Sequence, residues 1–365
     1  MKNTAVFLPA FGNRPSQLVG RDQVVQAFLK GLSSPAGHPD RATILIGQRG
    51  MGKTALLLEF AEKAEQEGFV VTRATATEAV LDDILGAIQL KGSGVIGKKP
   101  KVKGVSAGAF GFSLGLTFTE EVEKGFSFLN KLTLLINELA KHDKGIVILV
   151  DEIQVHTSAL RTLTAAYQHL VGEGKNIAIA MAGLPHAISS VLNDEVLTFF
   201  NRAKKVHLGP LSLSAVSVYY AKTLNRLGKK ISSENLEYVV NATRGYPYLL
   251  QLIGYYLLEY SESSSEISRE LIESACISAK RDMIENIYEP VFKPLSQKDR
   301  QFLQAMAKDS GVSRIIDIKK RLSASDSTVQ AYRKRLLDAG VIANERRGEL
   351  AFTLPYIDEY LRGEL

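Results

Sequence analysis

Eight consecutive residues, Gly47-Gln48-Arg49-Gly50-Met51-Gly52-Lys53-Thr54, carry the spacing G-x-x-x-x-G-K-[ST]. Glycines at these positions let a backbone curl until its N–H groups face a chain of phosphates. Lys53 is placed to pair with the β- and γ-phosphates, and the Thr54 hydroxyl to occupy one position on Mg²⁺. A second constellation lies downstream, where the apolar run Gly145-Ile146-Val147-Ile148-Leu149-Val150 ends in Asp151-Glu152. Carboxylates at the end of a buried strand suit two tasks: Asp151 holds the Mg²⁺ shell and Glu152 orients or deprotonates an attacking water. An acidic helix start after a buried strand is the alternative origin of such a pair. Together, the two motifs predict binding and hydrolysis of a nucleoside triphosphate.

The flanks of both motifs are those the chemistry requires. Ala42-Thr43-Ile44-Leu45-Ile46 has the length and β-branching of a buried parallel strand, and Thr54 to Ala61 has the composition of a buried helix. Strand, glycine loop and helix follow in order, so the helix N-terminus adds its positive dipole at the phosphates. Further strands are predicted over 69–76, 145–152, 177–185 and 204–208, with a helix opened by Gln17 to Asp22 and running to about Leu32, another over 78–90 and a third from about Glu120 to Lys141. This is an α/β core in which the acid pair falls at the C-terminal edge of an open parallel sheet. Residues 91–118 change character. They are rich in glycine, with five lysines and no acid between Lys91 and Lys103, and read as an inserted hairpin or loop. From Ser212 to about Pro290 the periodicity is helical throughout.

At 365 residues the chain exceeds one comfortable core, so two or three domains are expected. The single cysteine, Cys276, excludes an internal disulfide and a cysteine zinc site and suits a reducing cytoplasm. No apolar run reaches the roughly 20 residues that cross a bilayer, and the apolar part of Met1–Pro9 is too short for a secretory signal. A net charge of +6 does not by itself establish a polyanionic partner. Its distribution says more. Between Arg314 and Gly348 nine Lys or Arg face four Asp or Glu. That segment lies in a unit, 297–354, that reads as a winged helix: helices over 299–307, 315–322 and 327–339, then a hairpin turning at Arg346-Arg347-Gly348. Val329, Tyr332 and Leu336 share one face of the third helix. Ser327, Gln330 and Lys334 are then outward, flanked by Arg333 and Arg335, and Gln330, Arg333, Lys334, Arg346 and Arg347 are the candidate contacts to duplex DNA. A protein-interaction module with solvated charges is the competing reading.

Five landmarks in this order resemble AAA+ ATPases, in the branch near archaeal and eukaryotic replication initiators and the related signalling (STAND) ATPases. They are Leu18-Val19-Gly20-Arg21-Asp22, the phosphate loop, Asp151-Glu152, Phe200-Asn201-Arg202 before Leu208-Gly209-Pro210-Leu211-Ser212, and Arg244-Gly245-Tyr246-Pro247-Tyr248-Leu249-Leu250. The resemblance implies ATP with Mg²⁺ as the cofactors, and a P-loop core with a parallel sheet, an all-helical lid and a C-terminal winged helix. The divisions are an arm (1–16), the core (17–211), the lid (212–292) and the winged helix (293–365). It further implies that Leu18 and Val19 pack against the adenine and that Pro247 starts a lid helix beside the nucleotide. Arg202 matches the finger that completes a neighbouring subunit's site in a homo-oligomer, and Arg244 a lid residue that reports on the γ-phosphate. A solvated arginine beside Lys204 and Lys205, and a helix-end charge, are the respective alternatives. The chain departs from the pattern at Met181-Ala182-Gly183, which offers no polar sensor side chain. Gln154 is the candidate substitute, and slow or partner-dependent hydrolysis is expected. The function implied is an ATP switch that binds DNA, in replication initiation or a mobile element, with a STAND-like regulator of protein partners as the alternative.

Overall fold

The computed structural model describes residues 6–10, 15–96, 112–114, 116–153, 158–193 and 198–364, which divide into two compact units. One comprises residues 21–46 and 53–207; the other comprises residues 1–20, 47–52 and 208–365.

The first unit is built on a parallel sheet. Strands β1 (Ala42–Gly47) and β2 (Val70–Thr75) are followed by a short hairpin, β3 (Phe112–Leu114) and β4 (Thr117–Phe118), then β5 (Ile146–Ile153), β6 (Ile177–Gly183) and β7 (Lys204–Leu208). The sheet order is β2-β5-β6-β1-β7. β1 and β6 pair from Ala42–Ile179 to Ile46–Gly183, and β2 and β5 from Val70–Ile146 to Thr75–Asp151. β1 and β6 are buried along their whole length, because helices cover both faces of a parallel sheet. Those helices are α1 (Asp22–Leu32), α2 (Lys53–Gln66), α3 (Val80–Ile96), α4 (Glu120–Gly125), α5 (Phe128–Ala140), α6 (Ser158–Gly172) and α7 (Pro185–Leu192). Phe28 of α1 stacks on Phe60 of α2 with ring centroids 4.1 Å apart. The buried Arg41 closes the end of α1 by donating to the carbonyls of Gly31 (2.9 Å) and Leu32 (2.5 Å) and to Asn176 (2.8 Å).

Two expectations about this unit change. The single helix predicted from Glu120 to Lys141 is two, because Ser127 leaves helical geometry and its hydroxyl caps α5 by accepting from the Asn130 N–H. The helix predicted to end at residue 90 runs on to Ile96, so Lys91 and Gly92 are helical rather than part of a loop. The lysines from Lys98 to Lys103 lie outside the described residues.

In the second unit α8 (Leu213–Arg226), α9 (Ser233–Ala242), α10 (Pro247–Tyr260) and α11 (Arg269–Met283) form a helical array. α11 passes through one π turn (Ile284–Tyr288) into α12 (Glu289–Phe292). The arm contributes to this array. Phe7 is fully buried, 5.7 and 5.6 Å from the rings of Tyr219 and Tyr220, and a β-carbon at Gly254 would collide with it.

The C-terminal part runs α13 (Gln297–Met306), β8 (Val312–Arg314), α14 (Ile315–Leu322), α15 (Asp326–Asp338), β9 (Ile342–Asn344), β10 (Glu349–Phe352) and α16 (Ile357–Arg362). Its antiparallel sheet has the order β8-β10-β9. α13 opens with a capping box, Ser296 and Asp299 each accepting from the other's backbone N–H. β8 and α16 were not anticipated from the sequence. Each is too short for its apolar pattern to show a period.

Candidate nucleotide-binding site

β1 delivers the chain into the glycine loop and α2 begins at Lys53 directly after it. Gly50 (φ 72°) and Gly52 (φ 82°) take the left-handed conformation that side chains other than glycine avoid. The Met51 N–H donates to the Gln48 carbonyl at 3.4 Å, closing the turn. α2 follows with Leu56, Leu57, Phe60 and Ala61 buried, which fixes the axis of its dipole. The first N–H groups of a helix have no partner within it, so the loop and helix start form an anion cradle.

Beyond the loop, the Thr54 hydroxyl donates to Asp151 Oδ2 at 2.7 Å, joining the two sequence motifs across 97 residues. These are two hard oxygen donors side by side, the chemistry Mg²⁺ selects when phosphates and water supply its remaining ligands. Asp151 and Glu152 both lie within β5, so the acidic-helix-start alternative does not hold. The β5–β6 register shifts between Val150 and Ile153, and Glu152 sits in that irregularity with φ 54°. Its N–H donates to Asp151 Oδ1 at 2.8 Å. An exposed acid in left-handed backbone at a bulge is a local distortion of the kind found beside active sites. Gly183, at the end of β6, admits no side chain, since a β-carbon would lie 2.8 Å from the Ile153 carbonyl and from Ile188 Cδ1. Gln154 lies outside the described residues.

The remaining predicted residues are placed as follows. Leu18 and Val19 are half-buried in the segment that precedes α1, and Pro247 occupies the first turn of α10. Arg202 is exposed at the end of the 3-10 turn Thr198–Arg202. Arg244 (φ 47°) faces the C-terminal helix: its guanidinium donates to Glu359 at 2.9 Å and lies 3.7 Å from the Tyr356 ring centroid. Lys280 donates to the other Glu359 oxygen at 2.8 Å and approaches the same ring at 4.1 Å. A recess of about 250 Å³ is lined by Met51 of the loop, Arg244, Tyr246, Phe352, Pro355 and Asp358. Sequence reasoning assigned no role to Tyr246 or Tyr356. Tyr246 stood within a recognised motif, whereas nothing local marks Tyr356.

On the C-terminal module, most of the basic residues are already engaged. Arg314 pairs with Asp317, Lys319 with Asp326, Arg321 with Asp309 and Arg335 with Asp299. Arg333 donates to Gln330 (2.9 Å) and to Asn344 (2.6 Å), tying α15 to β9. Lys320, Lys334, Arg346 and Arg347 are exposed and make no ion pair among the described residues.

The sheet order, the glycine loop and the acid-bearing strand define a P-loop fold of the AAA+ type. Residues 17–179 match the AAA ATPase domain family, and residues 285–361 match a domain of unknown function, DUF8462. Among solved structures, the Walker-type ATPase of Pyrococcus abyssi is similar at 15% identity, with 96% of this chain and 97% of that chain covered and a TM-score of 0.69. The ORC2 protein of Aeropyrum pernix, in ADPNP–ADP complexes, is similar at 17% identity, covering 100% and 96%, with a TM-score of 0.64. Cdc6p from Pyrobaculum aerophilum follows at 16% identity, covering 98% and 97%, with a TM-score of 0.51. No curated protein sequence matches.

Proposed function

We propose that this protein is an ATP-switched ATPase that binds duplex DNA through its C-terminal module, a winged helix. The observation that carries the DNA reading is the set of exposed cations left over after internal pairing, Lys334 on α15 and Arg346 and Arg347 at the hairpin tip, beside the outward Gln330. A helix and hairpin presenting such residues suit groove insertion flanked by phosphate contacts. Arg333 joins them as a positioning residue, because its bonds to Gln330 and Asn344 hold helix and hairpin together.

In the nucleotide site, the loop N–H groups and Lys53 bind the β- and γ-phosphates, and Thr54 and Asp151 hold Mg²⁺. The ion would neutralise charge developing on the phosphoryl oxygens. Glu152 takes a proton from the water that attacks the γ-phosphorus as the bond to the β–γ bridging oxygen breaks. The missing polar sensor keeps turnover slow, which suits a switch. Leu18, Val19 and Pro247 serve the adenine, and Arg202 acts in trans if copies of the chain assemble.

A regulatory ATPase of the STAND type, with protein partners, has one observation in its favour. The recess beside Met51 is lined by Phe352 and Pro355 of the C-terminal module, so that module abuts the phosphate loop. Titration of duplex DNA at several salt concentrations, with and without ATP, separates the two readings. DNA binding with a steep log–log salt dependence is expected, and replacing Lys334, Arg346 and Arg347 together with Ala should flatten that slope by about three units. Absence of duplex binding in the parent protein would transfer the conclusion to the regulatory reading.

A further inference from the structure

The phosphate loop is held from outside by one lid residue. Tyr246 is fully buried, and its hydroxyl donates to the backbone carbonyl of Arg49, 197 residues earlier. Its ring covers the next residue so closely that a β-carbon at Gly50 would lie 2.6 Å from the phenol Cζ. Tyr246 is in turn rigidly placed. It is the residue before α10, follows the left-handed pair Arg244 and Gly245, and donates its N–H to Thr243 at 2.8 Å. Gly245 is pinned by the Leu211 N–H, which donates to its carbonyl at 2.7 Å, and a β-carbon at Gly245 would overlap the Leu211 carbonyl.

The consequence follows from peptide geometry. The unit joining Arg49 to Gly50 is planar and trans, so its carbonyl and its N–H point in opposite directions. A donor that fixes the Arg49 carbonyl therefore also fixes the Gly50 N–H, on the side away from the tyrosine. Burial raises the phenol above its ordinary pKa, with the neighbouring Tyr248 adding to the rise, so Tyr246 stays a donor at every physiological pH. We infer that Tyr246 is a positioning residue for the triphosphate: the lid tyrosine sets the direction of a loop N–H that receives phosphate oxygen. This inference rests on the nucleotide-binding reading and adds to it a lid residue that acts on the phosphates without touching them.

The test is Tyr246→Phe in the full-length protein, which keeps the buried ring and deletes only the hydroxyl. Affinity for ATP and for ADP, measured with Mg²⁺ by titration with fluorescent analogues, should fall about five- to ten-fold, the worth of one net hydrogen bond. The loss should sit in KM, with kcat falling far less, because the hydrogen bond orients the loop for binding and holds phosphate equally in the ground and transition states. The melting temperature without nucleotide should stay close to that of the wild type, while the rise produced by saturating ATP shrinks. Tyr246→Leu, which also removes the ring, should lower both affinity and melting temperature. Wild-type affinity in Tyr246→Phe, or an affinity loss that only tracks a lowered melting temperature across both variants, would overturn the inference. Failure of the wild-type chain itself to bind nucleotide would remove the underlying reading, and the inference with it.

Discussion

Among single residues, the roles proposed for Lys53 and Glu152 draw on distinctive backbone: Lys53 follows Gly52 (φ 82°), and Glu152 itself has φ 54°. Lys53 opens α2, whose buried residues include Leu56, Leu57 and Phe60. Lys53→Ala is therefore expected to abolish tight ATP binding, by a hundred-fold or more on the scale of a lost charged phosphate contact (roughly 3 kcal/mol), with no change in thermal unfolding of the free protein. Nucleotide titration beside a melting curve checks both halves. Glu152 occupies the irregularity in β5 with its side chain exposed. Glu152→Gln preserves its shape and cannot take up the water's proton, so the variant should retain ATP while turnover falls about a hundred-fold or more. Undiminished phosphate release would remove Glu152 from the chemistry.

At the scale of elements, the C-terminal module is held by ion pairs that anchor helices to one another. Asp299 is almost fully buried at the start of α13 and accepts from Arg335 of α15 at 2.7 Å. Burial pushes its carboxyl upward, but hydrogen bonds from Arg335 and Ser296 outweigh that and hold it below the ordinary value of 3.8. A depressed folded-state pKa stabilises the fold fully above the unfolded value and loses that stabilisation as pH falls through the folded one. Unfolding of this module should therefore become easier as pH drops below about 4. Asp299→Asn should be less stable than wild type at pH 7 and lose much of that acid dependence, as chemical denaturation at a series of pH values would show. Arg335, through Asp299, and Arg333, through Gln330 and Asn344, thus serve the module's own architecture, while Lys334 and the hairpin tip are the contacts proposed for DNA.

For the molecule as a whole, one of the boundaries between the two units falls between Gly52 and Lys53, inside the phosphate-binding motif itself. Residues 47–52 cluster with the lid and the C-terminal module, through Tyr246 and the recess beside Met51. Loading the loop is thereby placed next to the elements proposed to contact DNA, the arrangement a switch needs. The role proposed for Arg202 concerns assembly. The residue is exposed at the end of a short turn. A finger acting in trans predicts that Arg202→Ala lowers turnover while nucleotide affinity of the isolated chain stays near normal, with wild-type specific activity rising with protein concentration. Specific activity independent of concentration would argue against a shared site.

The amino-acid sequence by itself determined the parts whose information is local. The loop from Gly47 to Thr54 needs glycine where φ is positive, a strand before it and a helix after it, all within about 25 residues, and each is legible as composition and spacing. The central strands β1, β5 and β6 were legible for the same reason, since strands covered on both faces carry continuous apolar runs. Tertiary structure alone decided what depends on distant partners. Thr54 meets Asp151 at a separation of 97 residues, Arg244 meets Glu359 at 115, and Tyr246 meets Arg49 at 197. Phe7, in what reads as an irregular arm, is a core residue of the lid because Gly254 leaves room for its ring. Likewise, a count of basic residues over 314–348 carries no record of Asp299 or Asp309, which lie upstream and engage Arg335 and Arg321. Pattern along a chain reports what each residue prefers, and only folding reports which partner it finds.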